Sequence, residues 1–443
     1  MRYPGYSAYK ESGVQWLGEV PQHWEVKRLR MTTHLNDRKV EADEDNPVPY
    51  IGMESIESWT GKLLPINPNV VPSGVANRFN TKNTLFGKLR PYLAKACNPD
   101  FDGLCSTELL VIESDDFDRR ALLYCLLADG FIKLVDSSTY GSKMPRANWD
   151  FIGNCLLPVP SRPEQTAIAD FLDRETGRID TLVRKKRRLI ALLKERRSAL
   201  ISRTVTRGLP EDAAREFGLE PHTRFKDSGI EWLGEVPEGW GARRLRHISD
   251  RVTVGVVVNP SSYVSDDGMP FLLGGDVREF KIDGNNAKRC SAVDSDGPLW
   301  KSRLSAGDLV VVRVGYPGIA AVVPPTMEGA NCASMMIVGK HKRFDSPWLA
   351  YLFNSQVGRD QVEIVQYGAA QKQFNISHAV NFTFPFPSLA EQTAISAYLD
   401  RETAKISQLM DKVESAIDRL QEYRTALITA AVTGKIDARD AAA

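Results

Sequence analysis

The sequence predicts an α+β chain built twice: two domains of mixed helix and strand, each followed by a long helix, with the two helices paired as a coiled coil. Three observations carry this expectation. Two segments recur at matching places in the two halves. The stretches between them share almost no sequence. The second recurring segment opens a long run of apolar residues spaced by alternating threes and fours.

The repeat is plain. Ser12 to Arg30 (SGVQWLGEVPQHWEVKRLR) returns as Ser228 to Arg246 (SGIEWLGEVPEGWGARRLR), identical at 12 of 19 positions, where chance gives about one. Pro160 to Asp180 (PSRPEQTAIADFLDRETGRID) returns as Pro387 to Ser407 (PSLAEQTAISAYLDRETAKIS), identical at 13 of 21. Residues 31–159 and 247–386 lie between, the second insert being 11 residues longer. Echoes such as Tyr140-Gly141 and Tyr367-Gly368, each 20 or 19 residues before the repeated Pro-Ser, imply that both inserts share a fold and present different surfaces.

After each insert a helix start is spelled out. Ser161 with Glu164, and Ser388 with Glu391, have capping-box spacing, in which serine and glutamate satisfy backbone N–H groups left over at a helix N-terminus. The apolar stripe that follows reads Ile168, Leu172, Ile179, Leu182, Leu189, Leu193 and Leu200 in the first copy, broken by Glu175, Lys186 and Arg196. In the second it reads Ile395, Leu399, Ile406, Leu409, Val413, Ala416, Leu420, Tyr423 and Leu427, broken by Glu402. A narrow seam of period 3.5 needs a partner helix, and the other copy is the obvious one. A helix packed on its own domain is the alternative, although its apolar face would be wider. Gly208 and Gly434 stand where a glycine C-cap ends each helix, after about 40 residues or roughly 60 Å.

The inserts read as short β-rich runs punctuated by glycine, proline and asparagine, such as Thr84 to Arg90 and Asp308 to Val314. One helix is expected in each, near Arg119 to Leu127 and Pro347 to Asn354. At 443 residues the chain exceeds one core. With 42% hydrophobic and 26% charged residues, composition gives no case for disorder. The first ten residues lack the features of a signal peptide, and no apolar stretch approaches membrane-spanning length, so a soluble cytoplasmic protein is expected, with no membrane partner.

Signatures of chemistry are missing where an enzyme acting on DNA would carry them. There is no G-x-x-x-x-G-K-[ST] loop and no G-x-G-x-x-G after a strand. Asn98-Pro-Asp-Phe101 approximates an amino-methyltransferase motif, but Asp replaces the second proline and a turn is the better reading. Pro99-Asp100 with Glu108 begins a nuclease-like carboxylate set, yet Leu110 stands where its lysine belongs. The six histidines form no metal pattern, and the six cysteines (Cys97, Cys105, Cys125, Cys155, Cys290, Cys332) have no C-x-x-C pair and read as buried free thiols. No catalytic residue, metal ligand or cofactor site is therefore assigned to this chain.

The inserts instead offer basic and amide side chains on turns. Lys82, Lys88 and Arg90 surround one hairpin; Tyr140, Lys143 and Arg146 cluster about Gly141; Arg313 sits in the matching hairpin of the second half; and Tyr367, Gln371, Lys372 and Gln373 cluster about Gly368. Arginine and lysine pair with guanine, glutamine pairs with adenine, and any cation can hold a phosphate. A solvated surface is the competing role for each residue alone; the clustering after equivalent glycines singles out the group. Net charge is only +1, which fits local basic patches rather than a coat on nucleic acid. The helix segment Asp173 to Arg207 holds 12 basic and 4 acidic residues, against six of each from Asp400 to Lys435. The first helix is thus suited to DNA phosphates, to an acidic partner, or to plain solvation.

The repeated S-G-x-x-W-L-G-E-V-P-x-x-W, the hairpin T-L-F-G-K-L-R-P-Y-L at Thr84 to Leu93, the L-P-V-P and F-P-F-P endings and the two L-D-R-E-T helices resemble type I restriction-modification specificity subunits over nearly the whole chain. The resemblance implies target-recognition domains at 1–160 and 227–387, long coiled-coil helices at 161–207 and 388–436 running antiparallel, a linker at 208–226 and a tail at 437–443. It implies double-stranded DNA as ligand, each recognition domain reading one half of a bipartite asymmetric target. It further implies two methyltransferase (modification) subunits and translocase-endonuclease (restriction) subunits as partners. S-adenosylmethionine, ATP and Mg2+ would serve those partners and not this chain. The rival reading is a coiled-coil scaffold whose inserts bind proteins.

Overall fold

The computed structural model describes residues 3–41, 48–67, 70, 74–369 and 371–439. The chain divides into two compact units, residues 1–187 with 413–443, and residues 188–412. Each unit contains one insert, one half of the helix Arg162–Arg207 and one half of the helix Leu389–Val432.

In the first unit, two sheets face each other across an apolar core. One has the strands His34–Asn36, Leu109–Glu113, Thr84–Gly87 and Ala96–Cys97 side by side, all antiparallel. Its central strand reads Leu-Leu-Val-Ile-Glu, a continuous apolar run, and its first four residues are buried because both faces are covered. The other sheet orders Lys39–Glu41, Val75–Phe79, Gly103–Cys105 and Tyr50–Ile51, the last pair parallel. Phe79 and Cys105 from this sheet meet Leu85, Leu109 and Val111 from the first.

The second unit repeats the plan with unrelated residues. Its four-stranded sheet runs Val252–Val254, Met335–Val338, Leu309–Val312 and Ala320–Val322, antiparallel throughout. A three-stranded sheet of Lys288–Cys290, Met269–Leu272 and Asn331–Cys332 again contains one parallel pair. The helices Arg119–Leu126 and Ser346–Asn354 stand where expected. Two more, Asp129–Ser137 and Gln356–Val365, follow them directly and were not expected. Their apolar residues, such as Phe131, Ile132 and Val135, sit in runs too short to separate from the preceding helix by pattern alone.

The long helices have 46 and 44 residues and end before Gly208 and Gly434, both in the left-handed region at φ 80° and 76°. They pair antiparallel. Within the first unit the N-terminal half of the first lies with the C-terminal half of the second, Asp180 bonding Arg424 Nε at 3.1 Å. Within the second unit Ile201 and Val205 share a core with Ile395 and Leu399.

The stripe they turn inward corrects the expected one. Buried or half-buried positions are Thr176, Ile179, Val183, Lys186, Ile190, Leu193, Arg197 and Leu200, and then Thr403, Ile406, Met410, Val413, Ile417, Leu420, Arg424 and Leu427. Leu182, Leu189 and Leu409 are not on it: they are 47%, 40% and 44% exposed. Val183, Ile190 and Met410, one residue later, take their places, as Ile417 and Arg424 replace Ala416 and Tyr423. The reason is one extra step of four at the start, Ile168, Leu172, Thr176, which moves every second seam position by one residue. Polar side chains at 176 and 197 hid that phase. Ile168, Leu172, Ile395 and Leu399, at most 2% exposed, precede the shift.

Candidate nucleic-acid interface

Each unit presents a closed loop beside the end of its central hairpin. In the first unit Tyr140 and Arg146 exchange backbone hydrogen bonds of 3.1 and 3.0 Å. Arg90 N donates to Pro145 O at 2.7 Å and Ala147 N to Lys88 O at 3.0 Å, so the loop is tied to the segment leaving the strand Thr84–Gly87. In the second unit Tyr367 and Gln373 exchange bonds of 2.9 Å each, Gly315 N donates to Lys372 O at 3.0 Å, and Phe374 N to Arg313 O at 3.3 Å. The loop geometry is the same although few of its residues are.

Glycine is needed at the loop entrance. Gly141 and Gly368 have φ of 91° and 102°, a region L side chains avoid. A Cβ on Gly368 would also lie 2.3 Å from Gln371 O.

The structure gathers Lys88, Arg90, Tyr140, Lys143 and Arg146 on one loop pair, and Arg313, Tyr367, Gln371, Lys372 and Gln373 on the other. It does not bring Lys82 to them. Lys82 lies in the turn before the strand Thr84–Gly87, whereas Lys88 follows that strand at its other end. Among the gathered residues the environments differ. Arg90 and Lys143 are exposed, and so is Tyr140, at 61%. Arg146 is engaged: its Nε lies 3.0 and 3.1 Å from the two Glu108 oxygens and its Nη2 at 2.9 Å, a pairing that raises its pKa. Arg313 is only 7% exposed, its Nε donates to Phe374 O at 2.9 Å, and burial pulls its pKa down. Both arginines thus brace their loops. Gln371 and Lys372 are exposed, Gln373 half-buried, and Tyr367 donates to Asn375 Oδ1 at 2.9 Å.

Sequence reasoning missed three exposed side chains on the same loops. These are Tyr92, Met144 and Tyr316, 47%, 46% and 74% exposed. Large apolar groups left in water beside unpaired cations mark a contact surface. The signal was available, since each lies within three residues of a residue already singled out.

The frame behind the loops has its own repeated chemistry. Glu164, 5% exposed, accepts from Ser161 Oγ at 2.8 Å and Trp24 Nε1 at 3.3 Å, with His23 Nε2 at 2.8 Å. Burial pushes its pKa up, but the bonds from His23, Ser161 and Trp24 outweigh burial and hold it below the usual value. In the second unit Glu391 accepts from Trp240 Nε1 at 3.0 Å and meets His222 Nε2 at 2.5 Å. The capping-box glutamate therefore joins the repeated tryptophan to the helix start. The histidine comes from different places, inside the first repeat and before the second. Two further ties recur: Tyr124 donates to Asp173 at 2.7 Å and Tyr351 to Asp400 at 2.6 Å. The backbone N–H groups of Asp118 and Asp345 donate to Gln165 and Gln392 at 2.6 and 2.9 Å.

The motifs with enzyme overtones have structural duties. Asn98 accepts from Thr84 Oγ1 at 2.8 Å and donates to Arg119 O at 2.9 Å, while Arg119 holds Pro99 O at 2.9 Å. Glu108 is the partner of Arg146. All six cysteines are buried free thiols. Among the described residues no group of three or more His, Cys, Asp and Glu is placed to hold a metal, and no helix is long and apolar enough to cross a membrane.

No family model matches the chain. It is similar to the MjaVIII specificity subunit of a type I restriction enzyme from Methanocaldococcus jannaschii, 22% identical over 452 aligned positions and 97% of both chains. It is also similar to the EcoBI specificity subunit from Escherichia coli, 21% identical over 332 residues, 74% of this chain and 68% of the other. A solved chain of the type I R-M system superposes with TM-score 0.70 at 21% identity, covering 94% of this chain and 99% of that one. The HsdS subunit from Thermoanaerobacter tengcongensis superposes with TM-score 0.52 at 20% identity, over 94% and 98%. The chain is thus similar, over nearly its whole length, to type I restriction specificity subunits. In this chain the residues joining each helix to its domain are repeated, whereas the solvent-facing loop side chains, Tyr140 and Tyr367 apart, are not.

Proposed function

We propose that this chain is the DNA-reading specificity subunit of a type I restriction-modification complex and does no chemistry itself. The observation that carries the proposal is the loop pair built twice on one backbone plan, with Arg90 and Lys143 exposed in one unit and Gln371 and Lys372 in the other. Equal scaffolds with unlike polar tips suit a target whose two halves differ. Each insert reads its own half through base edges, and nearby cations hold phosphates.

Residues 1–160 and 227–387 are the reading domains, 161–207 and 388–436 the spacer helices, 208–226 the linker and 437–443 a tail whose last four residues lie outside the described ones. Adenine methylation and cleavage belong to partners: two methyltransferase subunits using S-adenosylmethionine, and translocase-endonuclease subunits using ATP and Mg2+. The complex works in the cytoplasm. The deciding experiment is methylation mapping in cells that carry this chain and its partners, paired with DNA binding across a salt series. A bipartite asymmetric motif and a steep salt slope are expected. Absence of any motif, with salt-insensitive capture of a protein, would favour a protein-binding scaffold.

A further inference from the structure

The two loop pairs differ at one position in a way that sequence composition alone does not explain. Arg90 and Gly315 occupy the same place: each N–H donates to the facing loop, to Pro145 O and Lys372 O, one residue after the bridges Leu89 to Arg146 and Val314 to Gln373. That place demands left-handed backbone. Gly315 has φ 90°, and Arg90 has φ 49° with ψ 62°. Glycine adopts this conformation freely, whereas a side chain with a Cβ is strained in it. Crowding is not the reason for glycine in the second unit, since among the described residues a Cβ at 315 would meet only Gln371 Nε2, at 3.9 Å. The first unit thus keeps an arginine where the backbone favours glycine.

The backbone bonds that hold this conformation, Arg90 N to Pro145 O at 2.7 Å and Leu93 N to Arg90 O at 2.9 Å, are ones a glycine would make equally well, so they do not call for the side chain. The Arg90 side chain is exposed, and its Nη2 makes a long 3.4 Å bond to Lys143 O. Among the described residues no carboxylate pairs with it, although the neighbouring Arg146 has Glu108. Lys88 and Lys143 stand on the same loop pair and add like charge. Strain that persists without a structural partner collects at functional sites. An arginine fork presented to solvent matches the two acceptors of a guanine, O6 and N7.

We propose that Arg90 is a specificity-determining residue of the first recognition surface and reads a guanine of the first half-site. This rests on the specificity-subunit reading above. The experiment uses the full chain with its modification partners: methylation motifs are mapped for wild type, Arg90→Gly and Arg90→Lys, and binding is measured on duplexes carrying each base in turn at every position of the first half-site. In both variants the preference for guanine at one position should fall by about 10- to 100-fold, with the second half-site unchanged. Arg90→Lys should keep its affinity for unrelated duplex, because its charge remains. The melting midpoint of purified Arg90→Gly should hold or rise by a few degrees, roughly what relief of one strained residue gives in a chain this size.

Three results would overturn the inference: an unchanged motif, an equal loss on all duplexes, which marks a phosphate contact, or a midpoint lowered by several degrees, which marks a structural role. A wild-type chain that directs no motif at all would instead sink the specificity-subunit reading on which the inference stands.

Discussion

Replacing Arg424 by alanine should loosen the first unit far more than replacing its repeat counterpart, Arg197, loosens the second. Arg424 is 7% exposed at its side chain; its Nε bonds Asp180 at 3.1 Å, its Nη1 bonds Trp59 O at 2.7 Å and its Nη2 bonds Thr60 O at 2.9 Å. It therefore clamps a loop of the first insert, where Trp59 has φ 65°, against the first long helix. Loss of a buried ion-pair partner costs about 3–5 kcal/mol. Asp180 keeps Lys62, so its charge is not stranded, and about 2–4 kcal/mol is the fitting range. Ser407 stands where the second helix would need the equivalent of Asp180. Arg197 stacks on Phe280 at 5.5 Å and reaches Glu279 only at 3.8 Å, contacts worth about 1 kcal/mol together. Two compact units need not unfold as one. The assay is hydrogen exchange on the full chain, comparing protection in residues 50–62 of Arg424→Ala with that in residues 271–283 of Arg197→Ala. The clamp is refuted if protection falls equally, or falls in neither.

Other outcomes follow from single features. Because the folded pKa of Glu164 is depressed, its contribution to stability is present above the unfolded value, about 4.3, and disappears as pH falls through the folded one. Glu164→Gln should thus melt earlier at neutral pH and show a shallower loss of stability on acidification, and parallel acid profiles would contradict this. Val183→Ser should destabilise the chain by about 1–3 kcal/mol, but Leu182→Ser should stay within about 0.5 kcal/mol, as denaturant midpoints will show. The reverse ranking would restore the seam that the sequence alone suggested. Gly368→Ala forces a Cβ to 2.3 Å from Gln371 O; mapped methylation should lose the second half of its motif and leave the first intact.

What the sequence made legible, and what it hid, divides along physical lines. The duplication and both helix starts were readable because Trp24, Glu164, Trp240 and Glu391 must stay the same to make the same hydrogen bonds, and identity is visible without coordinates. The shared insert fold was barely readable. A four-stranded sheet with the same strand order tolerates Leu109–Glu113 in one copy and Met335–Val338 in the other, since a doubly covered strand asks only for apolar residues. Every second position of the helix seam was read one residue early, because leucines at 182, 189 and 409 offered a second stripe of equal hydrophobicity, and only burial distinguishes the two.

The candidate site shows the same limit from the other side. Tyr140-Gly141 and Tyr367-Gly368 pointed to the correct loops because the left-handed glycine is a backbone requirement written in residue type. Which loop cations are free was not written anywhere: Arg146 and Arg90 look alike in sequence, and only Glu108, 38 residues upstream of Arg146, decides that the first is a brace. A position is thus open to recognition when its side chain is neither repeated nor paired. Arg90 and Lys143 in the first unit and Gln371 and Lys372 in the second meet that description. Substitutions there should change which DNA is chosen and leave folding intact, whereas substitutions at Arg146, Glu108 or Arg313 should unsettle the loop that carries them.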